Sequence, residues 1–543
     1  MPVLRQALLP IFAAWALCAT AYAAPLPRLA AQGTTQQLIV DGKPYLILGG
    51  ELGNSTASDP AFLAPLWPKL VASHANTLFV PVEWDQIEPT QGQFDFHVID
   101  AVIAQARDNH VHLVLLWFGA WKNSMSSYAP AWIKHDAGTY GRARAKDGVT
   151  QDILSPFDSD NLRADTRAFT ALMTHLKATD NEHTVIMMQV ENEIGMLPSA
   201  RDYSAAANAA FAGQVPPDLM HYLAEHRAGL TPELQALWAS SGFRTKGTWS
   251  EVFGAGEATE EVFQAWAYAS YVEAEVKAGK AAYALPMYVN AALNRPGKHP
   301  GEYPSAGPLP HLFDVWKAGA PSLDVLAIDH YFPDFMVWAR RFKRPDNPLL
   351  IPEANKAGFD QAPGNAWFAI GELDSLSFSP FSFENLPQGD PMIVTYAALD
   401  SLSPLILAHQ GRGDMRGFRA PVSFDGTVDD TPQSFDLGGY RFSATMVYPW
   451  TPRDQQDIAE HGGLIIQTGP DEFIVAGTGV TLTFADPTAQ ARIGIEQIVE
   501  GTYVDGQFVA GRWLNGDESH QGRHLTIPAG QTAILRLRLY RYR

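Results

Sequence analysis

Val185-Ile186-Met187-Met188-Gln189-Val190 runs without a charge into Glu191-Asn192-Glu193. A short, almost continuously apolar run of this kind is the pattern of a parallel strand covered on both faces. Seven comparable runs stand along the chain at Tyr45–Gly50, Thr77–Val82, His112–Phe118, Met287–Ala292, Val325–Asp329, Leu349–Pro352 and Ser375–Ser379. Stretches with helical spacing separate them, among them Ala101–Asn109, Ala164–Ala178 and Glu261–Ala282. Eight strands alternating with helices predict an α/β fold, a (β/α)8 TIM barrel with long insertions after its third and fourth strands. A doubly wound open sheet is the structural alternative.

Beyond about Pro391 the texture changes. Arg441–Tyr448, Gly463–Gln467, Phe473–Ala476, Val480–Phe484, Gln497–Glu500 and Thr532–Leu539 read as short strands, with turn pairs such as Asp425-Gly426, Asp505-Gly506 and Asn515-Gly516 between many of them. This predicts a C-terminal antiparallel β-sandwich domain, which either binds carbohydrate or stabilises its neighbour. The absence of a low-complexity linker predicts that the two domains pack together.

Residues 1–23 read as a secretory signal peptide. Arg5 precedes an apolar stretch from Ala7 to Ala19, and small residues follow at Ala21 and Ala23. The apolar run is short for a membrane span, and nothing similar is read downstream. The expected division is a leader at 1–23, a barrel at 24–391 and a sandwich at 392–543, in a periplasmic or secreted protein. The only cysteine, Cys18, falls in the leader, so a mature chain has no thiolate or disulfide chemistry to draw on. A net charge of −19 argues against nucleic acid and anionic membranes as partners and is compatible with a neutral sugar.

Barrel enzymes carry their chemistry at the C-terminal ends of the strands. Glu193 ends the fourth predicted strand, where a core strand has no structural use for two acids and an amide together. Glu353 ends the seventh, directly after Leu349-Leu350-Ile351-Pro352. Either acid alone would serve as a helix cap or ion-pair partner. Strands four and seven face each other across a barrel mouth, however, so the pair can flank one bond. Glycoside hydrolysis needs such a pair, and a separation near roughly 5 Å gives a covalent intermediate with retention of configuration. His110 and His112 alternate along a strand without a third ligand nearby in sequence, so no metal and no cofactor are expected.

These residues also carry a family resemblance. Asn-Glu after strand four and Glu after strand seven resemble the clan of retaining glycosidases on (β/α)8 barrels. Gln189–Gly195 (QVENEIG) resembles the acid/base motif of glycoside hydrolase family 35, the β-galactosidases. Leu38–Leu52 is similar to that family's opening strand, and Asn76–Phe96 to its second strand and following loop, a stretch shared with family 42. The resemblance implies Glu193 as acid/base, Glu353 as nucleophile, Asn192 on the sugar 2-hydroxyl and Tyr331 orienting the nucleophile. Glu51 and Glu191 are candidates for other sugar hydroxyls. After strand three the family often has an acid beside a Trp, contacting galactose; here Ala120 stands at that place, followed by Trp121, Lys122 and Asn123. Either Lys122 and Asn123 supply the missing contact or the sugar preference differs. The expected function is therefore an exported, retaining exo-β-galactosidase acting on oligo- or polysaccharides, plant cell-wall side chains among them. A retaining hydrolase of another β-glycoside (glucoside, fucoside, arabinoside) and an inactive sugar-binding protein are the alternatives, with the oligomeric state open.

Overall fold

The apolar runs become the eight strands of a parallel barrel in the computed structural model, which describes residues 25–543. The strands are β1 (Ile47–Glu51), β2 (Thr77–Glu83), β3 (His112–Lys122), β4 (Val185–Asn192), β5 (Met287–Ala292), β6 (Val325–His330), β7 (Glu353–Ala354) and β8 (Ser377–Phe378). They pair in chain order from β1 to β7, and β8 pairs with β1. Backbone bonds from Leu376 to Leu349 (2.8 Å) and from Ala354 to Ser379 (2.8 Å) join the two ends. This closure selects the barrel over the open sheet. The predicted leader lies outside the described residues.

The seventh strand is the least regular. Its apolar run, Leu349–Pro352, forms no strand of its own, and a paired ladder appears only at Glu353–Ala354. Pro352 has no N–H to give a ladder, and the Ile351 amide donates to the Ser377 hydroxyl at 2.9 Å instead of to a carbonyl.

Inward-facing residues such as Ile47, Phe79, Leu116, Met187, Tyr288 and Leu350 fill the barrel. Leu38 and Val40 join this cluster from a three-stranded antiparallel sheet (Arg28–Gln32, Thr35–Val40, Lys43–Tyr45) at the end remote from the strand C-termini. Outward-facing strand residues form a larger core with the surrounding helices, including α1 (Ser159–Thr179) and α2 (Glu257–Ala282). The Asp158 side chain caps α1 by accepting from the Asp160 and Asn161 amides.

A later helix, α3 (Pro391–His409), begins where the sandwich was expected and packs against the barrel. Its Tyr396 hydroxyl bonds the carbonyls of Gly49 (2.7 Å) and Phe378 (2.6 Å), on β1 and β8. By length and composition α3 is also apolar enough to cross a membrane, against the expectation that no such stretch follows the leader. One side of it, through Leu399, Leu402 and Ile406, is buried against the barrel.

The C-terminal region is an antiparallel pair of sheets, one of six strands and one of four, around a core that includes Phe442, Phe473, Leu482 and Leu537. It shares a second core with the barrel: Met415, Leu464, Ile466 and Ile534 belong to the same cluster as the barrel helices. Glycines permit the close approach. A Cβ on Gly417 would meet the Glu372 nitrogen at 2.6 Å and the Trp367 carbonyl oxygen at 2.8 Å, both on the backbone of the helix Ala362–Leu373.

Candidate active site

The C-terminal end of β4 does not continue as a regular strand. Glu191 and Glu193 have φ of 63° and 45°, a left-handed conformation unusual for residues with a Cβ and common where function demands it. The strand alternation breaks there. Glu191 turns outward toward α1 and α2, whereas Glu193 turns into the barrel mouth.

Strand β5 and the segment just after β3 hold the amide, the carbonyl and one carboxylate oxygen of Glu193. Its amide donates to Asn290 Oδ1 on β5 at 2.8 Å, and its carbonyl accepts from the Ser124 hydroxyl at 2.9 Å. Asn123 Nδ2 donates to its Oε2. Asn290 in turn donates to Asp329 Oδ2 on β6. Across the mouth, the Tyr331 hydroxyl donates to Glu353 Oε2, while the other oxygen, Oε1, is buried without a protein partner. One carboxylate oxygen from each of Glu193, Asp329 and Glu353 lies within 4.8 Å of the others. Inverting glycosidases hold their carboxyls roughly 6.5–9.5 Å apart to admit a water, and retaining ones about 5 Å apart. The observed spacing is of the second kind.

Burial, followed by the charge of Glu353, pushes the Glu193 carboxyl up to about 8, against the opposing effects of Lys122 and the Asn123 hydrogen bond. Burial first, then the surrounding carboxylates, hold Glu51 and Asp329 well above the usual carboxylate range. Lys122 is the counterweight to all three. Its ammonium donates to Asn192 Oδ1 at 2.7 Å and lies 4.5 Å from the centre of the Phe118 ring. Burial and the adjacent Glu353 raise the Tyr331 hydroxyl, which therefore remains a neutral donor.

A cleft of about 510 Å³ opens over this arrangement. Five of the residues expected from the sequence line it: Glu193, Glu353, Tyr331, Lys122 and Asn123. Asn192 and Glu51 lie buried beside them. The Asn192 Nδ2 has no protein partner, and neither Glu51 oxygen receives an N–H or O–H donor; Glu51, raised by burial, adjoins Glu353 instead. Two expectations are corrected. Glu191 does not face a sugar; its carboxylate accepts from the Ala120 and Trp121 amides on the helix side of the barrel. Trp121 is fully buried, donates to the Leu154 carbonyl at 3.1 Å, and packs edge-on against Tyr268 and Tyr271 of α2. At Glu191 a left-handed backbone reverses the face that alternation predicts, whereas Trp121, in step with Leu113, Leu115 and Trp117, keeps the outward face of β3. Asp329, Asn290 and Arg295 were not singled out from the sequence, although an Asn inside Met287–Ala292 and an Asp at the end of Val325–Asp329 are polar residues in strands otherwise apolar.

Residues 53–271 match the family model Glyco_hydro_42, described as β-galactosidase, and residues 393–526 match a domain of unknown function, DUF5597. The family matched is thus 42, with which Asn76–Phe96 is shared, and not the family 35 suggested by QVENEIG. A β-galactosidase of Xanthomonas manihotis is 28% identical over 211 residues, which are 37% of this chain and 33% of that protein. The match therefore spans about a third of that relative's length. Among solved structures, a catalytic mutant of a GH42 β-galactosidase from G. stearothermophilus superposes with a TM-score of 0.50 at 12% identity, covering 91% of this chain and 98% of that one. A β-galactosidase from Bacillus circulans sp. alkalophilus gives 0.44 at 14% identity, over 67% of this chain and 57% of that one. The chain thus shares the barrel fold of a GH42 β-galactosidase and over residues 53–271 is similar in sequence to that β-galactosidase family.

Proposed function

We propose that the protein is a retaining exo-β-galactosidase acting by double displacement, with Glu353 as nucleophile and Glu193 as acid/base. The observation that carries this reading is the approach of the two carboxylates to within 4.8 Å across the barrel mouth. In the first step a Glu353 oxygen bonds to the anomeric carbon as the glycosidic bond breaks, and the Glu193 proton passes to the leaving oxygen. In the second, water replaces Glu353 at that carbon and returns a proton to Glu193. A Glu193 carboxyl raised to about 8 holds the required proton near neutrality. The Tyr331 hydrogen bond holds one Glu353 oxygen and leaves the buried, unpartnered one for attack. Asn192 Nδ2, also unpartnered, is available to a 2-hydroxyl.

Glu353→Gly supplied with azide is the test. It is expected to yield an α-galactosyl azide from an aryl β-galactoside. Full activity in that variant would remove Glu353 from the mechanism.

One observation favours a second reading, a retaining hydrolase of another β-glycoside. An ammonium, Lys122, lines the cleft close to where Ala120 replaces an acid. A panel of nitrophenyl β-glycosides distinguishes the two by relative kcat/KM. The leader-like stretch from Arg5 to Ala23 supports export to the periplasm or medium, with plant cell-wall side chains as the accessible substrate class. Cell fractionation, with sequencing of the mature N-terminus, tests export.

A further inference from the structure

Glu191 stands two residues before Glu193, but its carboxylate faces the opposite side of the barrel wall. Oε1 accepts the Ala120 amide at 2.9 Å and Oε2 the Trp121 amide at 2.8 Å. Those amides lie in a bulge. Pairing between β3 and β4 passes from Trp117–Val190 directly to Lys122–Asn192, so four residues of β3 oppose one of β4, which is Glu191. The bulge closes tightly around the carboxylate: a Cβ on Gly119 would stand 2.5 Å from Glu191 Oε1. It delivers two side chains to the cleft, Lys122 to Asn192 Oδ1 and Asn123 to Glu193 Oε2.

Behind Glu191 stand Asp165 on α1 and Glu275 on α2. One oxygen from each of the three carboxyls lies within 4.8 Å of the others, and all three side chains are fully buried. Trp117 Nε1 and the Tyr271 hydroxyl donate to the two Asp165 oxygens at 2.9 and 3.1 Å. Three adjacent buried anions would repel strongly. Burial, then the charge of Asp165, raises Glu191 and Glu275 well above the carboxylate range, so each keeps a proton to share with Asp165. Proton sharing also accounts for Glu275, neither of whose oxygens has an N–H or O–H donor.

We propose that Glu191 is a positioning residue: anchored from behind by Asp165 and Glu275, it holds the β3 bulge in the shape that sets Asn123 on Glu193 and Lys122 on Asn192. The assay of this role rests on the glycosidase reading; the role itself does not. Loosening the bulge should impair proton donation more than nucleophilic attack.

The experiment compares wild type and Glu191→Gln, in the full chain, by kcat/KM on phenyl and 2,4-dinitrophenyl β-glycosides of the preferred sugar, since only the first needs a proton donor. The variant is expected to lose at least about tenfold more on the phenyl glycoside. Its basic pH limb should move upward, because the Asn123 hydrogen bond that favours ionised Glu193 is lost while Glu353 still faces it. Equal losses on both substrates with an unmoved limb overturn the proposal. If Glu191→Gln does not fold, Gly119→Ala presses on the same carboxylate from within the bulge, and a wild-type substrate ratio in that variant is equally refuting. If the wild-type protein hydrolyses no glycoside, the functional reading fails separately. The proposal is then read from crystal structures of the Gly119→Ala and wild-type proteins: Asn123 more than about 3.5 Å from Glu193 in the variant supports it, and an unmoved Asn123 overturns it.

Discussion

Glu193 and Glu353 could be picked out because each follows an apolar strand directly, and the proposed mechanism rests on their pairing across the mouth. Glu193→Gln should lower kcat/KM on glycosides with poor leaving groups by about 10²- to 10⁴-fold, the usual worth of a general acid. In the proposed mechanism Glu193 donates its proton, so kcat/KM should be present below pH 8 and lost as pH rises through about 8. Lys122→Met removes a positive charge that favours the ionised form; the limb should shift upward, and a downward shift in the pH–rate profile would contradict the role of Lys122. Asp329 and Asn290 escaped notice because a single polar residue in a strand gives no sign of which face it takes. Glu191 and Trp121 were named through the family resemblance; a left-handed backbone opposite the bulge turns Glu191 outward, and Trp121 keeps the outward face that β3 already gives Trp117.

Elements were legible wherever a run was long and apolar, and least so where backbone bonds depart from the ladder. Strand β7 is an example, its register carried by a serine hydroxyl and interrupted by Pro352. Helix α3 lies on the C-terminal side of the expected domain division and packs against the barrel through β1 and β8, a contact that its sequence pattern does not announce. The contact between the helix Ala362–Leu373 and the first sandwich strand, Met415–Arg419, depends on absent side chains. Gly417→Ala should therefore lower stability by about 1–3 kcal/mol through overpacking, seen as a reduced thermal midpoint. An unchanged midpoint would mean the two elements separate at no cost.

At the scale of the whole molecule, barrel and sandwich share a buried cluster through Met415, Leu464, Ile466 and Ile534. Calorimetry should accordingly record one coupled unfolding transition, and two well-separated transitions would show the domains to be independent. Removing residues 415–543 should leave a barrel with an exposed apolar face, detectable as aggregation on size-exclusion chromatography.

By itself the sequence determined the periodicity of the strands, the change from alternating strand and helix to strand alone, and the two acids that end strands four and seven. Those features are local: burial on both faces requires continuous apolar runs, and catalysis at a barrel mouth requires polar residues directly after them. Only the tertiary structure decided closure over an open sheet, the spacing of the two carboxylates, and which neighbouring polar groups face the cleft. These depend on hydrogen bonds between residues far apart in the chain, such as Asn123 with Glu193 and Glu191 with the Ala120 amide, and a left-handed residue or a bulge redirects a side chain without any mark in the pattern of apolar and polar residues.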